Sequence, residues 1–194
     1  MTALIESLMK LPGVGAKTAA RLAYHIVEMK NDDVENLAAA IKNIKTETHS
    51  CAICFNTIDK SFDVCEICNS DKRDAKTICV VKDAKDLDAI ERAGFYTGKY
   101  HVTGGLISPM AGITQEDIHL KELVQRVYQD DIHEVIIAFE PNVEGTATAH
   151  FIAKLLKPAN VKVTKLAQGM SVGADFAGTD SVTIAKAIEN RVPI

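Results

Sequence analysis

Residues 51–68 read CAICFNTIDKSFDVCEIC, two Cys-x-x-Cys pairs separated by ten residues. Each pair sets two thiols on one turn. Four thiolates at about 2.3 Å in a tetrahedron are the donor set of a closed structural zinc site, with no coordination position left over for chemistry. The ten intervening residues leave room for a small ribbon or loop. The surrounding stretch, His49 to Asp74, is short and poor in large apolar side chains, so it cannot fold on a core of its own. One zinc ion per chain, held by Cys51, Cys54, Cys65 and Cys68, would supply that folding energy. The alternatives are a redox dithiol, for which one Cys-x-x-Cys suffices, and a disulfide framework, which belongs to oxidising compartments. The fifth cysteine, Cys79, lies inside an apolar run and reads as a small core residue.

Upstream, apolar residues recur at helical spacing as far as about Thr48: Ile5, Leu8 and Met9, then Leu22, Ile26 and Val27, then Leu37, Ala40, Ile41 and Ile44. Asp32 or Asp33 is placed to cap the third helix. The first two helices are divided by Leu11-Pro12-Gly13-Val14-Gly15, where Pro12 disfavours a helical Leu11 and the glycines permit a tight hairpin. The next helix opens Ala16-Lys17-Thr18-Ala19-Ala20-Arg21. Glycines let backbone approach a phosphate, the free N–H groups of a helix N-terminus point at it, and Lys17 and Arg21 share one helix face. This is the form of a helix-hairpin-helix, a binder of DNA backbone that does not read sequence. The plainer reading is a glycine turn between two packed helices. From Lys10 to Tyr24 there are three basic residues and no acidic one, whereas from His49 onward 16 basic residues face 20 acidic. A phosphate-binding surface therefore belongs near the N-terminus. His25, on the same helix, is either a further phosphate contact or a packing residue. The spacing and preceding strand of a nucleotide P-loop are absent.

Downstream, from Lys76, strands alternate with helices. Thr77-Ile78-Cys79-Val80-Val81, Val135-Ile136-Ile137-Ala138-Phe139 and Val161-Lys162-Val163-Thr164 are buried-strand runs. Asp83 caps a helix that runs through Ala93 and is ended by Gly94, Thr114 with Asp117 forms a capping pair for a helix through Tyr128, and Asp180 or Ser181 starts a last helix ending near Asn190. The alternation implies a mostly parallel sheet covered on both faces. Ligands of such sheets bind at the carboxyl ends of strands, which draws attention to Phe139-Glu140-Pro141-Asn142-Val143-Glu144-Gly145. A Mg²⁺-dependent phosphoryl-transfer site there would want an acid at the end of the first strand, and that position is Lys82. A cation opposes the metal, so Glu140 and Glu144 read as a protein contact or a helix start. His101, His119, His133 and His150 fall on unrelated elements without triad spacing. The few scattered aromatics form no base-stacking platform.

The length of 194 residues, the net charge of −4 and the 47% hydrophobic content are those of a globular protein and exclude disorder. No run approaches the roughly 18 apolar residues of a membrane helix. The opening MTALIESLMK has neither a basic n-region nor a small-residue cleavage site; a cytoplasmic location with reduced thiols and no membrane partner is expected.

The ordered set of hairpin, four-cysteine module and α/β region closely resembles the bacterial RecR family of recombination mediators over nearly the whole chain. The matching motifs are LPGVGAKTAARLA, the Cys-x-x-Cys pairs, ICVVKDAKDLDAIE, GKYHVTGGLISPMAGI, PNVEG-x-ATA and LAQGMSVG. The resemblance implies an α+β multidomain fold: a helix-hairpin-helix DNA-binding region over 1–48, a zinc module over 49–74, a Toprim α/β domain with a mostly parallel sheet over 75–168, and a C-terminal helical oligomerisation segment over 169–194. It implies a homodimer that assembles into a ring-shaped homotetramer around DNA and works with RecO and RecF to load RecA on gapped DNA, without enzymatic activity. By motif, Gly13, Gly15, Lys17 and Arg21 would face DNA, the four cysteines would hold zinc, and the strand-end segment with Glu140, Asn142 and Glu144 would contact RecO. The chain departs from the family pattern at Glu140, where an asparagine is usual, at Thr146, where an acid is usual, and in the loop from Gly169 to Phe176. The rivals are a Toprim nuclease or primase using Glu140 and Glu144 with Mg²⁺, and an adaptor that has lost DNA binding.

Overall fold

Small side chains bring the first helices together. In the computed structural model, which describes residues 1–193, α1 (Thr2–Leu8) and α2 (Ala16–Glu28) pack as a hairpin, and Ala19 and Ala23 on α2 are fully buried. Gly13 has φ +79°, a conformation that costs any side chain, and the Val14 amide closes the turn on the Leu11 carbonyl at 3.2 Å. The third helix, α3 (Asn31–Glu47), buries none of its residues. Asp32 and Asp33 do not cap it: the cap is Lys30, without a side-chain bond, and both aspartates lie inside the first turn. There they act on the helix dipole instead. The chain divides into two compact units, Met1–His49 and the part from Ser50 onward.

After α3 come the short elements β1 (Thr48–Ser50), β2 (Thr57–Asp59) and α4 (Glu66–Asn69), followed by β3 (Asp74–Val81), α5 (Ala84–Ala93), β4 (Gly98–Val102), α6 (Leu120–Gln129), β5 (Glu134–Ile137), α7 (Val143–Leu156), β6 (Lys162–Lys165) and α8 (Ser181–Glu189). β1 and β2 pair as a ribbon, and the other four strands form a sheet in the order β4-β3-β5-β6, with every neighbouring pair parallel. Alternation along β3 divides two cores. Ile78 and Val80 face one cluster with Leu123 and Val127 of α6 and Ile152 and Leu156 of α7. Cys79 and Val81 face the other, with Leu87 of α5, Tyr100 and Val102. Both faces are thus covered, as parallel strands require.

Caps determined by local chemistry fall where the sequence puts them. The Asp83 carboxylate accepts from the Asp86 amide at 3.0 Å, Gly94 ends α5 in the left-handed region, and Asp180 accepts from the amides of Val182 and Thr183. Thr114 and Asp117 behave differently. The Asp117 carboxylate accepts from the amide and hydroxyl of Thr114, each at 2.8 Å, which closes a turn, and α6 begins only at Leu120. The main departure is β4. Gly98-Lys99-Tyr100-His101-Val102 has no apolar run, yet all five residues are buried.

The strand-end turn before α7 is held by Asn142, whose side-chain oxygen accepts from the Gly145 amide at 2.7 Å. A Cβ at Gly145 would overlap the Glu140 carbonyl oxygen. Gly145→Ala is therefore expected to destabilise the fold by about 3 kcal/mol, the range of substitutions that force backbone to move. The urea midpoint measures it, and an unchanged midpoint would show that the turn relaxes freely.

Candidate metal centre and nucleic-acid interface

The four cysteines converge. Their sulfur atoms all lie within 4.8 Å of one another, Cys51, Cys54 and Cys65 are buried, and Cys68 is half-buried. Sγ of Cys54 and Sγ of Cys65 are 3.6 Å apart, too far for a disulfide and close to the ~3.8 Å edge of a tetrahedron with 2.3 Å metal–sulfur bonds. Backbone amides already point at the sulfurs, Cys65 N–H to Cys51 and Cys68 N–H to Cys65, both at 3.3 Å. Mutual hydrogen bonds hold the Cys65 thiol well below its ordinary pKa and push Cys54 and Cys68 up, so the three sulfurs behave as one group. Buried, preorganised and sulfur-only, this set fits a metal ion that prefers thiolate.

The first pair is shaped by Phe55, which has φ +63° and returns its amide to the Cys51 carbonyl at 3.0 Å. Phe55 also ties the module to the sheet. Its ring stacks on His119 at a centroid distance of 3.9 Å and meets His101 edge-on at 5.5 Å. His101 and His119, read from the sequence as unrelated, are therefore one cluster: Nε2 of His101 lies 2.6 Å from the His119 carbonyl. The Cys54 carbonyl accepts from the Val102 amide at 2.7 Å, which occupies the open edge of β4.

Three further side chains fasten this junction, and the sequence carried no signal for them. Lys99 is buried and donates to the carbonyls of Ile67, Cys68 and Ser70 at 2.9, 3.0 and 2.7 Å. Arg73 pairs in bidentate fashion with Glu91 and donates to the Gly98 carbonyl at 3.2 Å. The Tyr100 hydroxyl donates to Glu91 at 2.6 Å, and with Arg73 it holds the Glu91 carboxyl below the usual range.

In the first unit, Gly13 and Gly15 are exposed at the hairpin, and Lys17 and Arg21 project from the exposed side of α2. No acidic residue lies in its first turn. The other residues singled out from the sequence sit at the carboxyl end of β5. Glu140 and Asn142 are exposed and Glu144 is half-buried in the first turn of α7, with Asn142 donating to Glu140 at 3.2 Å. Lys82 lies beside them, 3.8 Å from Glu140 and 3.5 Å from Asp83. Burial opposes its charge, but Asp83, Asp86 and Glu140 outweigh burial and raise its pKa.

A helix-hairpin-helix bearing exposed cations, a four-cysteine centre and a parallel sheet together define a DNA-binding protein built on a Toprim scaffold. A Toprim-domain model matches residues 76–167, and a RecR helix-hairpin-helix model matches residues 1–45. The chain belongs to the RecR family, whose domains carry DNA binding and a role in recombinational DNA repair.

Two measurements test this junction. Prolonged chelation is expected to remove the metal and unfold the module, seen as exposure of the four thiols to a thiol reagent together with a lower melting temperature; a melting curve indifferent to chelation would show that the module stands without metal. The second is a pH dependence. Burial depresses the His101 pKa to about 4, with Arg126 and His119 adding to the effect against the His119 hydrogen bond, and Nδ1 of His101 is buried without a partner. The unfolded chain then binds the extra proton between its own pKa of about 6.5 and the folded value, so stability is complete above pH ~6.5 and lost as pH falls towards 4, by up to about 3 kcal/mol. The slope of the urea midpoint against pH should be shallower in His101→Gln than in the wild type, and equal slopes would remove His101 as the cause.

Proposed function

We propose that the protein is a non-enzymatic, zinc-stabilised DNA clamp that acts with RecO and RecF to promote RecA loading on gapped DNA. The observation that carries this reading is the hairpin at Gly13, where a glycine-only backbone turn delivers a helix N-terminus flanked by the exposed Lys17 and Arg21. Those groups neutralise phosphates without touching base edges, so binding is independent of sequence and falls steeply with salt. Zinc is the metal the four sulfurs favour, because a buried tetrahedral thiolate set with no open position suits a structural d¹⁰ ion.

Absence of catalysis is supported by Lys82. An ammonium 3.8 Å from Glu140 stands where a Toprim enzyme would need a carboxylate for Mg²⁺, and a fixed cation repels a mobile one. The exposed strand-end turn of Glu140 and Asn142, with Glu144, is then a surface for a protein contact, which we assign to RecO. Self-association into a homodimer and homotetramer is supported by two apolar faces. Leu37, Ile41 and Ile44 are 40, 66 and 56% exposed on α3, at helical spacing on a helix that buries nothing, and Val172, Phe176, Val182 and Ile188 are exposed in the C-terminal segment. We place the protein in the cytoplasm; among the described residues no helix is long and apolar enough to cross a membrane.

The zinc-loaded protein is expected to bind a gapped duplex with a linear fall of log affinity against log salt, and to leave the DNA intact with Mg²⁺ present. In the Lys17→Ala/Arg21→Ala variant the slope should drop by about 2 per engaged subunit while sedimentation shows the same oligomer. Unchanged affinity in that oligomer would remove the hairpin as the DNA site, and Mg²⁺-dependent cleavage lost in Glu144→Gln would favour the enzyme.

A further inference from the structure

A lysine inside a protein needs its charge answered. Lys99 is 8% exposed, and among the described residues no carboxylate lies within ion-pair distance of it. The nearby acid, Glu91, is already engaged by Arg73 and Tyr100. The ammonium has three donors, and all three are spent on the carbonyls of Ile67, Cys68 and Ser70. Those carbonyls close the turn that carries Cys65 and Cys68 and the C-terminal end of α4, where the peptide dipoles are negative. Carbonyl dipoles alone leave a buried full charge only partly compensated.

The turn that receives Lys99 also carries two of the four thiols, Cys65 and Cys68. Four thiolates around a divalent ion leave a net charge of about −2, enclosed here by three buried cysteines and the half-buried Cys68. We propose that Lys99 is a positioning and charge-balancing residue for the metal centre: its ammonium, carried on β4, orients the Cys65–Cys68 turn and offsets the excess negative charge of the thiolates. This rests on the zinc reading given above. It explains why an edge strand of the sheet buries a lysine, and it makes metal affinity and docking of the module on β4 two aspects of one interaction. The linkage is reciprocal, since whatever strengthens one strengthens the other by the same factor.

Three variants of the full chain separate charge from hydrogen bonding and from packing. Lys99→Arg keeps the charge, Lys99→Gln keeps donors on an uncharged chain, and Lys99→Met keeps only the apolar stem. Zinc affinity is read by competition with a chromophoric chelator, and the pH of half-release of zinc is read in parallel, because a missing cation makes the thiolates easier to protonate. Expected is a loss of about 10- to 100-fold in affinity, the range found for residues that support metal ligands from outside, for both Lys99→Gln and Lys99→Met. Half-release should move to higher pH in both variants, with most of the affinity retained in Lys99→Arg. Wild-type affinity and half-release pH in Lys99→Gln would overturn the charge-balancing role even if Lys99→Met failed to fold. A wild-type protein that takes up no zinc, although its thiols are reduced, would overturn the zinc reading itself, and with it this one.

Discussion

Four sulfur ligands confined within 4.8 Å repel one another once ionised, and that repulsion is relieved only by a cation held among them. The residues around them could not hold this geometry unaided, because the module lacks a core of large apolar side chains and draws on Ile58, Val64 and Ile67 at its margin. The consequence extends beyond the module. β4 is an outer strand of the sheet, and an outer strand presents unpaired amides and carbonyls that invite other chains. Here the Cys54 carbonyl takes the Val102 amide and the Lys99 ammonium takes the carbonyls after Cys65, so the coordinating turns lie against this edge. The thiolate cluster therefore carries both the small module and one boundary of the larger domain.

This dependence also explains which parts of the architecture were legible in the sequence. β3 and β5 announce themselves because parallel strands buried on both faces need continuous β-branched runs, whereas β6, expected as a third buried run, is an outer strand whose lysines are exposed and whose Val163 and Thr164 are only half-buried; the caps at Asp83, Gly94 and Asp180 are decided by chemistry within four residues. The cysteine spacing is equally local. β4 was unreadable because a lysine and a histidine are buried in it by partners distant in the chain, the Ile67–Ser70 carbonyls for Lys99 and the His119 carbonyl for His101. The pairing of His101 with His119 was missed for the same reason, since nothing local foretells that Phe55 will stack on one ring and abut the other. At Thr114 the side-chain chemistry was read correctly, but the turn it closes stands ahead of the helix it was expected to cap.

At the carboxyl end of the sheet the fold offers the position at which many α/β proteins do their chemistry, and here a lysine stands among the carboxylates. Asp83, Asp86 and Glu140 surround Lys82 closely enough to raise its pKa, while burial and the neighbouring Asp83 push the Asp86 carboxyl up. Lys82 pairs with two of these carboxylates, Asp83 and Glu140, and so occupies the place among them that a metal ion would take. The strand-end turn is fixed in shape by packing alone: Asn142 caps α7, and Gly145 admits the Glu140 carbonyl.

The distribution of charge then bears on how so acidic a chain, at −4 overall, holds DNA at all. On the proposed reading, Lys17 and Arg21 would give each subunit only about two phosphate contacts, too few for useful affinity at physiological salt. The acidic remainder repels DNA from other faces, which weakens binding further but confines it to the hairpin. Both effects favour a solution in which several hairpins act on one duplex, because a second contact made by a linked subunit is paid for at an effective concentration far above that of free protein. The exposed apolar residues of α3 and of the C-terminal segment are suited to provide that linkage in the proposed assembly. Weak individual contacts would be an advantage in such a clamp, since each could exchange along the backbone while the others hold, keeping the protein on the DNA without fixing it to any sequence.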